Sequence, residues 1–401
     1  MTSKKTLTPH PLPRPVKALG FVSLFNDSAS EMIYPLIPAF LTGVLGVGAV
    51  ALGALEGAAE TFASLLKVLS GYWSDRFHKR KAPTVLGYAL SGFARPLIAM
   101  TTTFWHVFAL RLTDRMGKGI RSSPRDALIA DLVPPEDRGR AYGFQRALDN
   151  LGAFIGPLLA AGILLAVPDN LRLVFGLAAI PVVGALLVLI FFVKEAPATR
   201  RSELHRQGGI LGGLSPALRK YLLCLFIFTL GNSSDAFLLL RAQHVGVSLA
   251  MIPILWAVFN LVKSAINIPG GKLSDSWGRR RTLLAGWIWY ALVYVGFAYA
   301  SGVWAVWMLF LLYGVYYGLT EGVERAFIAD LVDAQHRGYA FGWFHLTIGV
   351  GALPASLIFG EIWDRVGPHA AFLTGAGLAL LASAMLVAFL SEYKGISTIS
   401  D

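Results

Sequence analysis

The 401-residue chain is 55% hydrophobic, only 15% charged, and carries a net charge of +11 with a mean hydropathy of +0.59. A soluble domain carries about 25% charged residues, so this composition excludes an ordinary water-soluble fold. A nucleic-acid reader gathers its basic residues on a wetted face, whereas most basic residues here fall in short loops between apolar runs, and the lone Cys224 excludes an internal disulfide or a cysteine-based zinc site.

A spanning helix needs about 20 mainly apolar residues. Runs of that kind predict twelve spans, near 17–44, 50–70, 82–103, 106–128, 141–166 and 171–193, then 219–244, 250–270, 282–301, 303–329, 340–362 and 369–391. The first is read as a span, not a cleaved signal, because no small-residue cleavage site follows it and more spans do. Residues 194–218, with Arg200, Arg201 and Arg206, read as a linker between bundles 1–193 and 219–401. Lys and Arg concentrate on one side: Lys4, Lys5, Arg14 and Lys17, then Arg76 to Lys81, the linker, Arg279 to Arg281 and Lys394. By the positive-inside rule, that side and both termini are cytoplasmic.

The halves repeat each other. Gly71, Ser74 and Asp75 match Gly271, Ser274 and Asp275 at an offset of 200, and Ala127 to Val133 match Ala326 to Val332 at an offset of 199. Each half starts inside and crosses six times, which describes parallel repeats.

At these residues the chain resembles the major facilitator superfamily, over nearly its whole length. The loop Gly71-Tyr72-Trp73-Ser74-Asp75-Arg76-Phe77-His78-Lys79-Arg80 is similar to the family's G-x-L-x-D-R-x-G-R-K motif, departing at Trp73 and His78. The resemblance implies a latch for one state of a transporter through Asp75 and Arg76, with Gly271 and Asp275 in the second copy; a simple positively charged turn is the alternative. Gly143, Gly152, Gly156 and Pro157 resemble the G-x8-G-x3-G-P pattern that the family associates with antiporters, ending here in Ala160 and Ala161 in place of two glycines. Small residues permit close helix approach and proline bends the helix, though ordinary packing gives the same pattern. The fold implied is an all-α membrane protein of twelve transmembrane helices in two six-helix pseudo-symmetric bundles.

An ionisable residue at membrane depth points to function. In the fourth span Arg111, Arg115, Lys118, Arg121 and Arg125 are spaced 4, 3, 3 and 4, a basic face about 20 Å long. Arg125, near the cytoplasmic end, is a gating candidate or a partner of Asp75. Proton coupling requires a group whose proton affinity changes with burial and approaching charge. The candidates are Asp27, Glu31, Glu56, Glu60, Arg111 and Asp114, with permanent salt bridges as the alternative for each. Arg111 stands where the family has a helix-4 Arg, but Asp114 and Arg115 replace the usual Gln and Gly.

Candidate solute-binding residues in the first half are Asn26, Ser30, Arg115, Lys118, Arg146, Asp149 and Asn150. The second half offers Asn232, Asp235, Asn260, Lys263, Tyr316, Tyr317 and Glu321, amides and aromatics suited to an organic solute. There is no phosphate loop, nucleophile elbow or metal-ligand spacing, so no cofactor, metal or enzymatic activity is expected. The favoured reading is a monomeric proton-coupled antiporter of the bacterial cytoplasmic membrane, exporting small anionic or zwitterionic organic solutes by alternating access. Import of an organic anion such as a siderophore, and a lipid flippase or non-transporting receptor, are the other readings.

Overall fold

A computed structural model describes residues 12–77, 80–134, 138–193, 215–332 and 337–389; of 68, 71–77, 130, 138–139 and 337–339 it describes the backbone only. These residues form twelve spans. The first half is α1 (Arg14–Ile33, continued to Val44), α2 (Ala49–Phe77), α3 (Lys81–Leu97), α4 (Phe104–Leu132), α5 (Arg138–Ala166) and α6 (Leu171–Phe192). The second is α7 (Pro216–His244), α8 (Met251–Trp277), α9 (Arg279–Tyr299), α10 (Val303–Asp330), α11 (Arg337–Arg365) and α12 (Pro368–Phe389). We call the end where α1 begins and α12 finishes basal, and the opposite end distal.

Nine of these helices are long and apolar enough to cross a membrane among the described residues. The other three are informative. The helix α3 has 17 residues, while α1 and α4 hold the intramembrane charges. Large apolar side chains such as Phe93, Ile180, Phe191, Ile268 and Leu292 point outward, as a surface facing hydrocarbon requires. The chain is a multi-pass membrane protein of two six-helix bundles.

Local chemistry sets the breaks. Pro35 and Pro38 lack the N–H that a continuous helix needs, and α1 passes through a 3₁₀ turn at Tyr34–Leu36 and a π turn at Phe40–Val44. Ser215 opens α7, its hydroxyl accepting from Leu218 N at 3.1 Å with Pro216 behind it. The single predicted span 219–244 is in fact interrupted: helix stops at Gly231 and resumes at Ala236. The run Asn232-Ser233-Ser234-Asp235 is made of side chains that compete for backbone hydrogen bonds, and Ser234 Oγ takes the Ala236 N–H at 3.3 Å.

The repeat is visible in charge pairs. Arg80 meets Asp131 at 3.5 Å and Arg279 meets Asp330 at 2.5 Å, each residue of the second pair standing 199 positions after its counterpart. Arg279 also holds Asp275 at 3.1 Å. The side chains of Asp75 and Arg76, with His78 and Lys79 entirely, lie outside the described residues, as does the linker over 194–214.

At the distal end the halves close on each other through α2 and α11. A Cβ on Gly53 would strike the carbonyl oxygen of Ser356, one on Gly57 would lie 2.8 Å from Leu353 Cα, and one on Gly360 would lie 2.7 Å from Ala49 O. The Asp364 carboxylate of α11 accepts the first free N–H groups of α2, from Ala49 at 3.0 Å and Val50 at 2.9 Å, so one half caps a helix of the other. Basal glycines differ: Gly143, Gly271 and Gly342 would meet nothing within 4 Å. Gly53→Ala is therefore expected to penalise only the distally closed state, by about 1–3 kcal/mol of overpacking. Spin labels at Val44 and Val366 should move apart in that variant, and an unchanged separation would contradict the close contact.

Candidate functional site

Between the bundles lies a cavity of about 470 Å³. Six helices supply its charges. From the first half come Glu31 (α1), Glu56 and Glu60 (α2) and Arg111, Arg115 and Lys118 (α4); from the second come Asp235 (α7), Lys263 (α8) and Glu321 and Glu324 (α10). Asn232, Asn260, Tyr316 and Tyr317 complete the predicted residues that line it. Asn26, Asp27, Ser30, Asp114, Arg146, Asp149 and Asn150 are not on its wall.

The basic face of α4 is divided. At about 100° per residue, Arg115 and Lys118 stay near the direction of Arg111, while Arg121 turns about 80° away. Arg121 donates to Ser91 Oγ at 2.6 Å and lies 4.5 Å from the Tyr88 ring centroid on α3. Arg125 pairs with its neighbour Asp126 at 2.8 Å. Only the first three cations of the stripe reach the cavity.

Beneath the wall is a buried ion network. Arg111 makes a two-pronged contact with Glu56, Nε to Oε1 at 2.9 Å and Nη2 to Oε2 at 3.1 Å. Asp114 accepts from Arg111 Nη1 at 3.1 Å and from Arg95 Nε at 2.9 Å. Arg95 Nη1 reaches back to α1, donating to Asn26 O at 3.0 Å and Asn26 Oδ1 at 2.9 Å. Two carboxylates and the Asn26 carbonyls thus hold two guanidiniums in forked, charge-assisted contacts. Arg115 is looser: its Nε is 3.5 Å from Asp114 Oδ2, yet it is buried with no hydrogen-bond partner. We take the missing hydrogen bond as the better description, because at that separation the geometry gives attraction without direction.

Three cavity carboxylates meet neutral donors instead. Glu31 accepts from Trp256 Nε1 at 2.6 Å, across the interface between halves. Asp235 accepts from Tyr313 at 2.6 Å and Tyr317 at 3.2 Å, and Glu324 from Trp287 Nε1 at 3.4 Å. Rings surround this side: Tyr34 and Trp256 have centroids 5.2 Å apart, and Phe259 stacks on Tyr313 at 5.5 Å.

Toward the basal end, the Asp149 carboxylate on α5 has that of Asp27 on α1 as a like-charged neighbour. Arg146 then joins Asp149 at 3.3 Å to Glu321 of the other half at 3.2 Å, and Lys263 meets Glu321 at 3.2 Å. Gly152 and Gly156 allow this: a Cβ on either would strike α1 backbone, at Leu24 O and Ser28 O. Gly143 takes no part in that contact, so the glycine pattern is divided, and α5 continues through Pro157 to Ala166. Sequence reasoning missed Arg95, Tyr34 and Trp256. A lone arginine beside Pro96 in an apolar span was itself a signal; the two aromatics carried none.

The comparisons with known proteins follow this geometry. The model of the Major Facilitator Superfamily matches residues 19–240 and again 221–399. The chain belongs to the Major Facilitator Superfamily. It is 37% identical over 383 residues to an uncharacterised transporter of this superfamily from Methanocaldococcus jannaschii, covering 94% of this chain and 95% of that one. It is 25% identical over 387 residues to multidrug resistance protein MdtG of Enterobacter lignolyticus, covering 93% and 89%. Its fold matches that of a bacterial homologue of the human lysosomal transporter Spinster, in an inward-facing and unoccupied conformation, with a TM-score of 0.73 at 15% identity, covering 94% and 96%. This superfamily member is thus a transporter.

Proposed function

We propose that this transporter is a proton-coupled antiporter that exports small zwitterionic organic solutes. The observation that carries the coupling is the bridge Asp149–Arg146–Glu321 between the halves, with the Asp27 carboxylate as a like-charged neighbour of Asp149. A like charge nearby favours binding of a proton by one of two carboxylates. Arg146 ties the pair to Glu321, so gain or loss of that proton changes the pull on a bridge between the halves. Glu56, Arg111 and Asp114, candidates for coupling by sequence, are matched charge for charge, and the proposal gives them a structural role. The basal end is cytoplasmic and the protein acts as a monomer in the cytoplasmic membrane. Export is supported by the glycines of α5 against α1 and by the name of the multidrug resistance relative.

The solute class follows from the wall. Arg115 and Lys118 offer cations toward an anionic group, while Glu31 and Asp235, held by indole and phenol donors among aromatic rings, offer carboxylates toward a cationic one. The test is a thermal-shift panel of zwitterions, organic anions and organic cations on the purified protein. Zwitterions should stabilise most, and Lys118→Gln and Asp235→Asn should each weaken the best one by about 10- to 100-fold. A response confined to anions or to cations would overturn the proposal.

A further inference from the structure

A second cavity lies outside the transport path. It is a groove of about 640 Å³ on the outer surface, between the start of α1 and the end of α6. Arg14, Lys17, Phe21 and Phe25 are spaced 3, 4 and 4, which lines them along one helical face. They run about 17 Å along α1 at 1.5 Å per residue, close to the depth of one leaflet's hydrocarbon. Val188, Phe191 and Phe192 form the facing wall, and no carboxylate lines the groove among the described residues.

The polar end is electrically unusual. Basic residues in the first turn of a helix oppose its macrodipole, yet α1 begins with Arg14 and Lys17, no acidic residue, and no side-chain cap on Pro13. Both side chains are exposed, so two cationic heads gather at the positive end of the helix dipole, where the Val16 and Lys17 N–H groups already donate to Pro13 O at 3.0 and 3.1 Å. The nearby Lys81 is committed elsewhere, donating to Ile190 O at 3.0 Å. The apolar lining is open to lipid: Phe21, Phe191 and Phe192 are 46%, 71% and 66% exposed. An occupant that answers both ends has an anionic phosphate and an acyl chain.

We infer that this groove is a binding site for an anionic phospholipid, its head group held by Arg14 and Lys17, and one acyl chain lying along Phe21, Phe25, Phe191 and Phe192. Neither side chain contributes to the central cavity, so the site stands apart from the coupling proposal. The test is native mass spectrometry of the full chain released from nanodiscs of equal phosphatidylglycerol and phosphatidylcholine. The wild type should keep phosphatidylglycerol in excess by roughly tenfold or more, given two basic side chains at the head-group level. Arg14→Ala with Lys17→Ala should erase the preference, while Arg219→Ala with Lys220→Ala, the same charge loss at the same end, should retain it. Phe191→Ser with Phe192→Ser should reduce retention of phosphatidylglycerol without altering charge. Equal retention in the Arg14/Lys17 variant, or equal loss in the Arg219/Lys220 control, would overturn the site in favour of unspecific attraction to a basic surface.

Discussion

Asp114→Asn is expected to lower the stability of the purified protein by about 3–5 kcal/mol, the cost of leaving buried charges unpaired. Asp114 takes hydrogen bonds from Arg95 and Arg111 and lies 3.5 Å from Arg115, and all four side chains are at most 10% exposed. An amide there would face three guanidiniums, with Glu56 still answering Arg111. Replacing the pair together, Arg95→Met with Asp114→Leu, should recover much of the loss, since apolar substitutes of similar volume remove the desolvation penalty as well. Denaturation in detergent, followed by intrinsic fluorescence, measures both. Strict additivity of the two single changes would show that the contact carries no coupling energy.

Asp149→Asn is expected to uncouple the transporter without unfolding it. An amide beside Asp27 donates the hydrogen bond that a shared proton otherwise supplies, so the pair no longer needs to bind or release one. Accumulation driven by a pH gradient in proteoliposomes should disappear, while counterflow of the best zwitterion of the thermal-shift panel persists. Affinity in the central cavity should stay within about fivefold, the reach of a screened charge away from the wall. Loss of counterflow together with loss of accumulation would instead place Asp149 in the binding path.

The spans were legible because a bilayer demands about 20 apolar residues at a time, and the duplication was legible because Asp131 and Asp330 recur with their loop neighbours. The break in α7 was not: Asn232 to Asp235 lie within an apolar run, and only the packed structure shows the backbone turning there. The basic stripe of α4 lies on one helix but is divided between the cavity and α3, and its chemistry depends on partners from other helices. Arg95 and Glu56 tie Arg111 and Asp114 into a closed set, which leaves Arg115 and Lys118 for the cavity. Periodicity places a side chain on a face; which neighbour answers it is a tertiary fact. The approach of α5 to α1 is of that kind, bringing Asp27 and Asp149, 122 positions apart, into one neighbourhood through Gly152 and Gly156, whose purpose shows only against α1.

The most direct measurement is the distance across the distal gate as protons are supplied. Spin labels at Val44 and Val366, in a Cys224→Ser background, bracket the α2–α11 closure, and pulsed electron spectroscopy gives the distribution of separations without any solute. As the pH is lowered, the populations of closed and open distal gate should shift in the wild type. They should stay fixed in Asp149→Asn. A shift of the same size in both would contradict coupling through Asp27 and Asp149.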